Sequence, residues 1–130
     1  IRTYSIYDYE FITENKLKVF EWGRGNGTPS IESIIASIKT KKVYLTFDID
    51  GLDPAHAPAT GTPVPGGLEW GYARKLIREL ILAKDLVGAD IVEVSPLKDN
   101  VLTQYAAAQL CYDIISYKLL KDKKMIKFSS

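Results

Sequence analysis

The sequence predicts an α/β fold in which helices cover both faces of a mostly parallel β-sheet, a three-layer α/β/α arrangement. Two short segments rich in β-branched and aromatic residues, 43–47 and 89–94, are typical of strands that are buried on both faces. Segments with apolar residues at helical spacing lie between them and after them. Strands that alternate with helices in this way indicate βαβ units, whose strands pair in parallel.

The predicted elements follow each other closely along the chain. Residues 8–14 are predicted to form a short helix and residues 16–20 a short strand. Thr28 is a suitable N-cap and Pro29 a suitable first residue for the next helix, which continues with isoleucines at helical spacing. The remaining elements are the strand 43–47, a helix over 69–84, the strand 89–95, a helix over 101–120 and, at 125–128, either a frayed tail or a last short strand.

Helical spacing also predicts which faces of the two long helices are buried. The predicted core face of the helix over 69–84 consists of Leu76, Ile77, Leu80 and Ile81. The predicted core face of the helix over 101–120 consists of Tyr105, Ala108, Cys111, Tyr112 and Ile115. Cys111 is then a small buried apolar residue, and Trp22 and Trp70 are predicted to serve in packing or at an interface.

Composition restricts the class of protein. The chain has 130 residues, enough for one modest domain, and its 46% hydrophobic and 25% charged residues exclude a disordered chain. The net charge is +1, and the only basic run, 121–124, is predicted to be a solvated helix end, so we expect no nucleic-acid partner. No apolar run approaches about 18 residues, so we expect no membrane segment. The single cysteine excludes an internal disulfide and fits a cytoplasmic protein.

Two acidic residues follow the first central strand directly. Asp48 and Asp50 are spaced i, i+2, and side chains with this spacing in a strand point to the same face. Glu93 lies near the end of the second central strand, and ligands of parallel sheets bind outside the carboxyl ends of the strands. Carboxylate oxygens suit a divalent metal such as Mn²⁺ or Mg²⁺. The sequence therefore predicts a carboxylate site at this edge of the sheet.

Three other interpretations compete for the acidic segment 48–53. Asp, Gly and Pro favour turns, but a simple turn does not explain two acids at the buried end of an apolar strand, where unpaired charge is costly. An EF-hand loop requires Gly at its sixth position and Glu at its twelfth, which here are Asp53 and Ala59. The Asp-x-Asp motif of Mn²⁺-dependent glycosyltransferases fits the layout of a strand followed by acids, and this alternative stays open.

The loop after these acids helps to choose among these interpretations of the acidic segment. It contains Asp53-Pro54, then Thr60-Gly61-Thr62-Pro63, then Gly66-Gly67-Leu68, and residues 92–96 are Val-Glu-Val-Ser-Pro. Together these segments resemble the signature of the ureohydrolase family, the arginases and agmatinases, and the resemblance extends over about residues 1–120. The segment 92–96 is more similar to agmatinases than to arginases.

The resemblance implies an arginase-like fold and hydrolysis of a guanidino group, agmatine to putrescine and urea, by two Mn²⁺ ions and a hydroxide that attacks the guanidinium carbon. It implies that Asp48 and Asp50 are metal ligands and that Glu93 holds the guanidinium. Thr62 would lie beside the substrate, and no general acid or base falls on this chain. We expect Asp53 to tie down the loop, and we expect the only histidine, His56, to be neither a ligand nor a base.

The family's metal site also requires histidines and an Asp-x-His-x-Asp segment, which a chain with one histidine does not supply. The chain also begins with Ile rather than Met, so we expect residues 1–130 to be a single partial domain, the C-terminal half of a longer ureohydrolase that is inactive without the rest. The alternative is a non-catalytic remnant or an interaction piece. The family further implies a small guanidino substrate and a homo-oligomer, a trimer or hexamer, in the full-length protein.

Overall fold

The structure is a computed structural model that describes residues 4–23 and 27–125. The predicted alternation of helices and strands is confirmed over most of this range. The elements are α1 (Ile6–Glu14), α2 (Ile31–Ser37), β1 (Lys42–Asp48), a 3-10 turn (Ile49–Gly51), α3 (Trp70–Ala83), β2 (Asp85–Val92) and α4 (Leu102–Asp122). No helix among the described residues is long and apolar enough to cross a bilayer.

The two strands pair in parallel, as the sequence predicts. Their register runs from Lys42 opposite Asp85 to Asp48 opposite Val92, with one irregularity after Val43. Helix α3 provides the crossover between them, which a parallel pair requires. The carboxyl ends of β1 and β2 therefore lie side by side, and the segment that follows each strand starts at the same edge of the sheet.

The core lies between one face of this sheet and the helices α3 and α4. Alternate residues of β1 point into it, and fully or nearly fully buried residues of both helices meet them there. The core cluster consists of Phe47, Ile49, Leu52, Ala57, Ala73, Ile77, Ile81, Leu86, Leu110 and Ile114. The opposite face of β1 carries Tyr44 and Thr46, which are exposed. The expectation that both strands are buried on both faces is therefore wrong for the described residues.

Several predicted boundaries are also wrong. Residues 16–20 form no strand: Lys16 has a left-handed backbone (φ 52°), and the one sheet among the described residues consists of β1 and β2 alone. Helix α2 begins at Ile31, where the hydroxyl of Ser30, not Thr28, caps it by accepting from the Ser33 N–H at 3.1 Å. Strand β2 begins four residues earlier than predicted, since the Asp85 N–H already donates to the Lys41 carbonyl at 2.8 Å. Residues 126–128 lie outside the described residues, and Met125 belongs to no helix or strand.

The buried face of α3 is predicted correctly at three of four positions, but that of α4 is not. Ile77, Leu80 and Ile81 are buried on α3, whereas Leu76 is half-buried. On α4 the predicted stripe faces outward: Tyr105 is 72% exposed, Tyr112 68% and Ile115 67%, and Cys111 is exposed as well. The buried face instead consists of Thr103, Ala106, Leu110, Asp113 and Ile114.

Two polar residues explain this error. Thr103 accepts a hydrogen bond from the Ala59 N–H, and Asp113 accepts two from the Arg74 guanidinium at 2.6 and 3.1 Å. Buried polar groups are tolerated when they are paired in this way. Hydrophobic spacing alone favours the more apolar stripe of α4, whereas long-range polar contacts place the other stripe in the core.

Candidate metal and substrate site

Asp48 and Asp50 lie where β1 ends and the chain tightens into the 3-10 turn. Asp48 caps this turn, because its carboxylate accepts from the Asp50 N–H at 3.1 Å. Ile49, between them, is fully buried and anchors the turn in the core. The two aspartates are therefore neighbours through a capped turn, rather than through the continuous strand that their spacing predicts.

Thr62 reaches back to this turn from the following loop. Its hydroxyl donates a short hydrogen bond to the Asp50 carboxylate. This contact orients one oxygen of Asp50, and it brings a residue twelve positions along the chain to the end of the sheet. The structure thus places Thr62 directly beside one of the predicted metal ligands.

Asp53 holds the loop in shape. One oxygen of its carboxylate accepts from the Ala55 N–H at 2.9 Å, and the other accepts from the N–H groups of Gly66 at 2.8 Å and Gly67 at 3.2 Å. These backbone hydrogen bonds hold the pKa of the Asp53 carboxyl below its usual value. Gly66 has a φ of 81°, a conformation that suits glycine. The loop-fixing role predicted for Asp53 is confirmed.

This lowered pKa predicts a pH-dependent stability. The Asp53 carboxylate stabilises the folded state above its unfolded pKa of about 3.9, and the stabilisation is lost as the pH falls through the lower folded pKa. We expect Asp53→Asn to lower the melting temperature at pH 7, and we expect the difference from the wild type to shrink toward pH 3. Asp122→Asn is the control, because its exposed pair with Lys118 contributes at most about 0.5 kcal/mol. A melting-temperature difference that stays constant down to pH 3 would contradict this prediction.

Glu93 follows β2 immediately and adopts a left-handed backbone with a φ of 64°. Such a conformation is uncommon for a residue with a side chain and often marks a functional position. A Cβ built on Gly61 would lie 3.9 Å from Glu93 Oε2, so the carboxylate lies against the same loop that carries Thr62. Burial raises the pKa of Asp48, and the negative charges of Asp50 and Glu93 raise it further. The carboxylates of Asp50 and Glu93 are thus both close enough to Asp48 to repel its negative charge.

The remaining residues singled out from the sequence lie away from this cluster. His56 Nε2 is 3.3 Å from the Glu69 carboxylate. The Trp22 indole N–H donates to the Gly67 carbonyl at 3.0 Å, and its ring lies 4.8 Å from that of Tyr72. His56 therefore contacts neither aspartate, and Trp22 packs as predicted.

Two residues that hold the site loop carry no clear signal in the sequence. Ser95 and Thr103 both form hydrogen bonds to the backbone of Ala59, which lies at the start of the Thr-Gly-Thr segment. A polar residue near the start of an otherwise apolar helix is a weak signal on its own. Its partner lies 44 positions earlier in the sequence, beyond the reach of local patterns.

Comparison with known proteins identifies the protein family of this chain. The Arginase family matches residues 1–116. The chain belongs to the arginase family. It is 37% identical over 119 residues to the N(1)-aminopropylagmatine ureohydrolase of Synechocystis sp., which covers 90% of this chain and 39% of that protein. It is 45% identical over 119 residues to the agmatinase of Klebsiella pneumoniae, which covers 86% of this chain and 38% of that protein.

The fold of this arginase-family chain is also that of a solved arginase. The structure of the arginase from Bacillus caldovelox superposes with a TM-score of 0.77 at 32% identity, over 88% of this chain and 40% of that one. The chain spans about two fifths of the length of the curated relatives it matches. Family membership decides against the glycosyltransferase alternative, because Asp48 and Asp50 lie within residues 1–116, which match the Arginase family.

The donors of this arginase-family site fit a divalent metal in their chemistry. Asp48 and Asp50 offer hard carboxylate oxygens, and the repulsion of Asp48 by Asp50 and Glu93 is the kind that a bound cation relieves. Within residues 4–23 and 27–125, no group of three or more His, Cys, Asp or Glu side chains is placed to hold a metal ion. The two aspartates are therefore a pair of candidate ligands, and not a complete ligand set, within these residues.

Proposed function

We propose that the full-length protein, meaning the complete product that contains these 130 residues, hydrolyses agmatine to putrescine and urea with a pair of Mn²⁺ ions. The observation that carries this proposal is the convergence of Asp48, Asp50, Thr62 and Glu93 at the carboxyl ends of β1 and β2. The names of the relatives, agmatinase and N(1)-aminopropylagmatine ureohydrolase, favour agmatine or a close derivative as the substrate.

The proposed chemistry assigns a separate task to each carboxylate. Asp48 and Asp50 would hold Mn²⁺, which when bound supplies a hydroxide nucleophile near neutral pH. Glu93 would accept paired N–H hydrogen bonds from the substrate guanidinium, a cation that a carboxylate binds well. Thr62 would keep the Asp50 carboxylate in one orientation, and fixed ligands need less rearrangement when substrate binds.

We further propose that residues 1–130 alone do not turn over substrate, because they supply only two candidate ligands among the described residues. In this proposal the full-length protein is a cytoplasmic homo-oligomer, a trimer or hexamer. A non-catalytic remnant is the competing outcome. Arginine, guanidinobutyrate, guanidinopropionate and formimidoylglutamate are the competing substrates.

Urea release tests this function. The full-length protein is incubated with Mn²⁺ and with agmatine, arginine or guanidinobutyrate in turn, and the highest kcat/KM is expected for agmatine. Absence of urea from agmatine would contradict the proposed hydrolysis of agmatine. Mn²⁺ titration of the 130-residue chain alone is expected to show weak binding, and tight binding of two ions would contradict the partial-site proposal.

The Glu93→Gln variant tests the carboxylate that is proposed to bind the guanidinium. Loss of a charge-assisted hydrogen bond costs about 1.5–3 kcal/mol, so we expect kcat/KM for agmatine to fall roughly 10- to 100-fold while Mn²⁺ content stays at the wild-type level. Glu69→Gln is the matched control, since the Glu69 carboxylate contacts His56 instead of the aspartates. Wild-type kcat/KM in Glu93→Gln would remove Glu93 from the binding site.

A further inference from the structure

The backbone of one residue of the site loop, Ala59, is held from both sides. The Ala59 N–H donates to Thr103 Oγ1 at 2.7 Å, and the Ala59 carbonyl accepts from the Ser95 N–H at 3.0 Å. Ala59 and Thr103 are both fully buried. Both polar groups of this residue are thus satisfied inside the protein, one by α4 and the other by the segment that follows Glu93.

Thr62 and Glu93 each lie within three positions of Ala59 or of its hydrogen-bond partner Ser95. Two residues after Ala59, Gly61 lies against the Glu93 carboxylate. Three residues after it, Thr62 donates to Asp50. Ser95 is two residues beyond Glu93. A shift of Ala59 would therefore displace Thr62, which orients the candidate metal ligand Asp50. It would also change the position of Thr62 relative to the Glu93 carboxylate, which is proposed to bind the guanidinium.

The Thr103 hydroxyl has a specific task in this arrangement. Valine has nearly the same shape and would fill the same apolar space on the buried face of α4, so packing alone does not require a hydroxyl. The hydroxyl instead satisfies a backbone N–H that is shielded from water, and such a donor is seldom left unpaired in native proteins. The contact joins residues 44 positions apart, and it fixes the loop to the first turn of α4.

We propose that Thr103 is a positioning residue for the metal and substrate site. Through Ala59 it holds the loop so that Thr62 meets Asp50 and Gly61 meets Glu93, although Thr103 itself lies outside the set of ligands. The effect on catalysis rests on the proposed guanidino hydrolysis and the effect on metal affinity on the proposed Mn²⁺ binding, whereas the effect on the loop rests on neither.

Three measurements on the full-length protein test this role in Thr103→Val. Hydrogen exchange of the Ala59 amide, measured without substrate or metal, is expected to accelerate at least about 10-fold. Mn²⁺ affinity is expected to fall about 10- to 100-fold, as it does when partners that orient metal ligands are removed. The kcat/KM for agmatine is expected to fall over a similar range, because a displacement of about 1 Å in a site can cost 10²-fold.

Two further variants separate positioning from general structural damage. Thr103→Ser keeps the hydroxyl, so its Mn²⁺ affinity and kcat/KM are expected within about threefold of the wild type. Thr13→Val is the matched control, because the Thr13 hydroxyl is exposed and donates to the Tyr9 carbonyl on α1. If Thr103→Val does not fold cooperatively, Thr103→Ser decides the question, and a loss of more than 10-fold in its Mn²⁺ affinity would overturn the proposal.

The outcomes distinguish this proposal from the proposed function. Unchanged Ala59 exchange in Thr103→Val would overturn the contact itself. Accelerated exchange with wild-type Mn²⁺ affinity would overturn the positioning role, whether or not urea is formed. If the wild type forms no urea from any guanidino compound but Thr103→Val still weakens Mn²⁺ binding, guanidino hydrolysis fails and the positioning of the metal ligands stands.

Discussion

The Asp50→Asn variant of the full-length protein is expected to release urea from agmatine more than about 100-fold more slowly than the wild type. Removal of a partner that only orients a metal ligand costs 10- to 100-fold, and loss of a ligand should cost more. Asparagine keeps the size of Asp50 and can still accept from the Thr62 hydroxyl, but it removes the negative charge that offsets a divalent cation. The Mn²⁺ content of the purified variant, measured by atomic absorption, is expected to fall in parallel with urea release.

A matched substitution at the other end of the same sheet separates this effect from a general loss of charge. Asp85 begins β2 at the amino end, where its carboxylate lies 3.5 Å from Lys41 Nζ and 3.7 Å from Lys121 Nζ. Asp85→Asn is therefore expected to retain wild-type urea release and Mn²⁺ content. If Asp50→Asn keeps more than a tenth of the wild-type activity with full Mn²⁺ content, Asp50 is not a metal ligand.

The parallel pair and the position of Asp48 at its carboxyl edge could be predicted from the sequence because their signals are local. An apolar strand that ends in Asp48 indicates both the strand and the position of the acid at its carboxyl end. The spacing of Ile77, Leu80 and Ile81 on α3 agrees with their burial, because these apolar side chains repeat at the period of the helix. Patterns of this kind need only the period of the element.

The error on the buried face of α4 has its cause in contacts between distant parts of the chain. The buried face of α4 contains Thr103 and Asp113, whose partners Ala59 and Arg74 lie 44 and 39 positions away. No window of one or two helical turns includes both members of such a pair. The same reason explains why the Thr62 contact with Asp50 could be expected from a family resemblance, but not from spacing alone.

The left-handed backbone at Glu93 could not be predicted from local sequence patterns either. A strand pattern continues through Val94, whereas β2 ends at Val92 and the next residue has a φ of 64°. The Ser95 N–H then donates a hydrogen bond to the Ala59 carbonyl instead of to the backbone of a neighbouring strand. The chain thus leaves the sheet early, and this departure brings the Glu93 carboxylate against the site loop.

The Ile81→Ala variant is expected to reduce the free energy of unfolding by about 2–5 kcal/mol, the usual cost of a large-to-small change at a fully buried site. Ile81 has no exposed surface, and it belongs to the core cluster that joins α3 to the sheet and to α4. Alanine would remove three carbon atoms from a close-packed region, and the backbone of a helix between a sheet and a second helix can relax only partly into the space. Urea denaturation of the full-length protein measures the change.

Lys75→Ala is the control on the same helix, because Lys75 is exposed, and its effect is expected to stay within about 0.5 kcal/mol. Below the unfolding transition, kcat/KM of Ile81→Ala is expected to remain close to the wild-type value. The reason is that Ile81 takes part in none of the hydrogen bonds that shape the site. These are the hydrogen bonds made by Asp50, Asp53 and Ala59. A cost below about 1 kcal/mol would show that the core can collapse around this position, and the packing of α3 against α4 would then contribute less to stability than the burial of Ile81 implies.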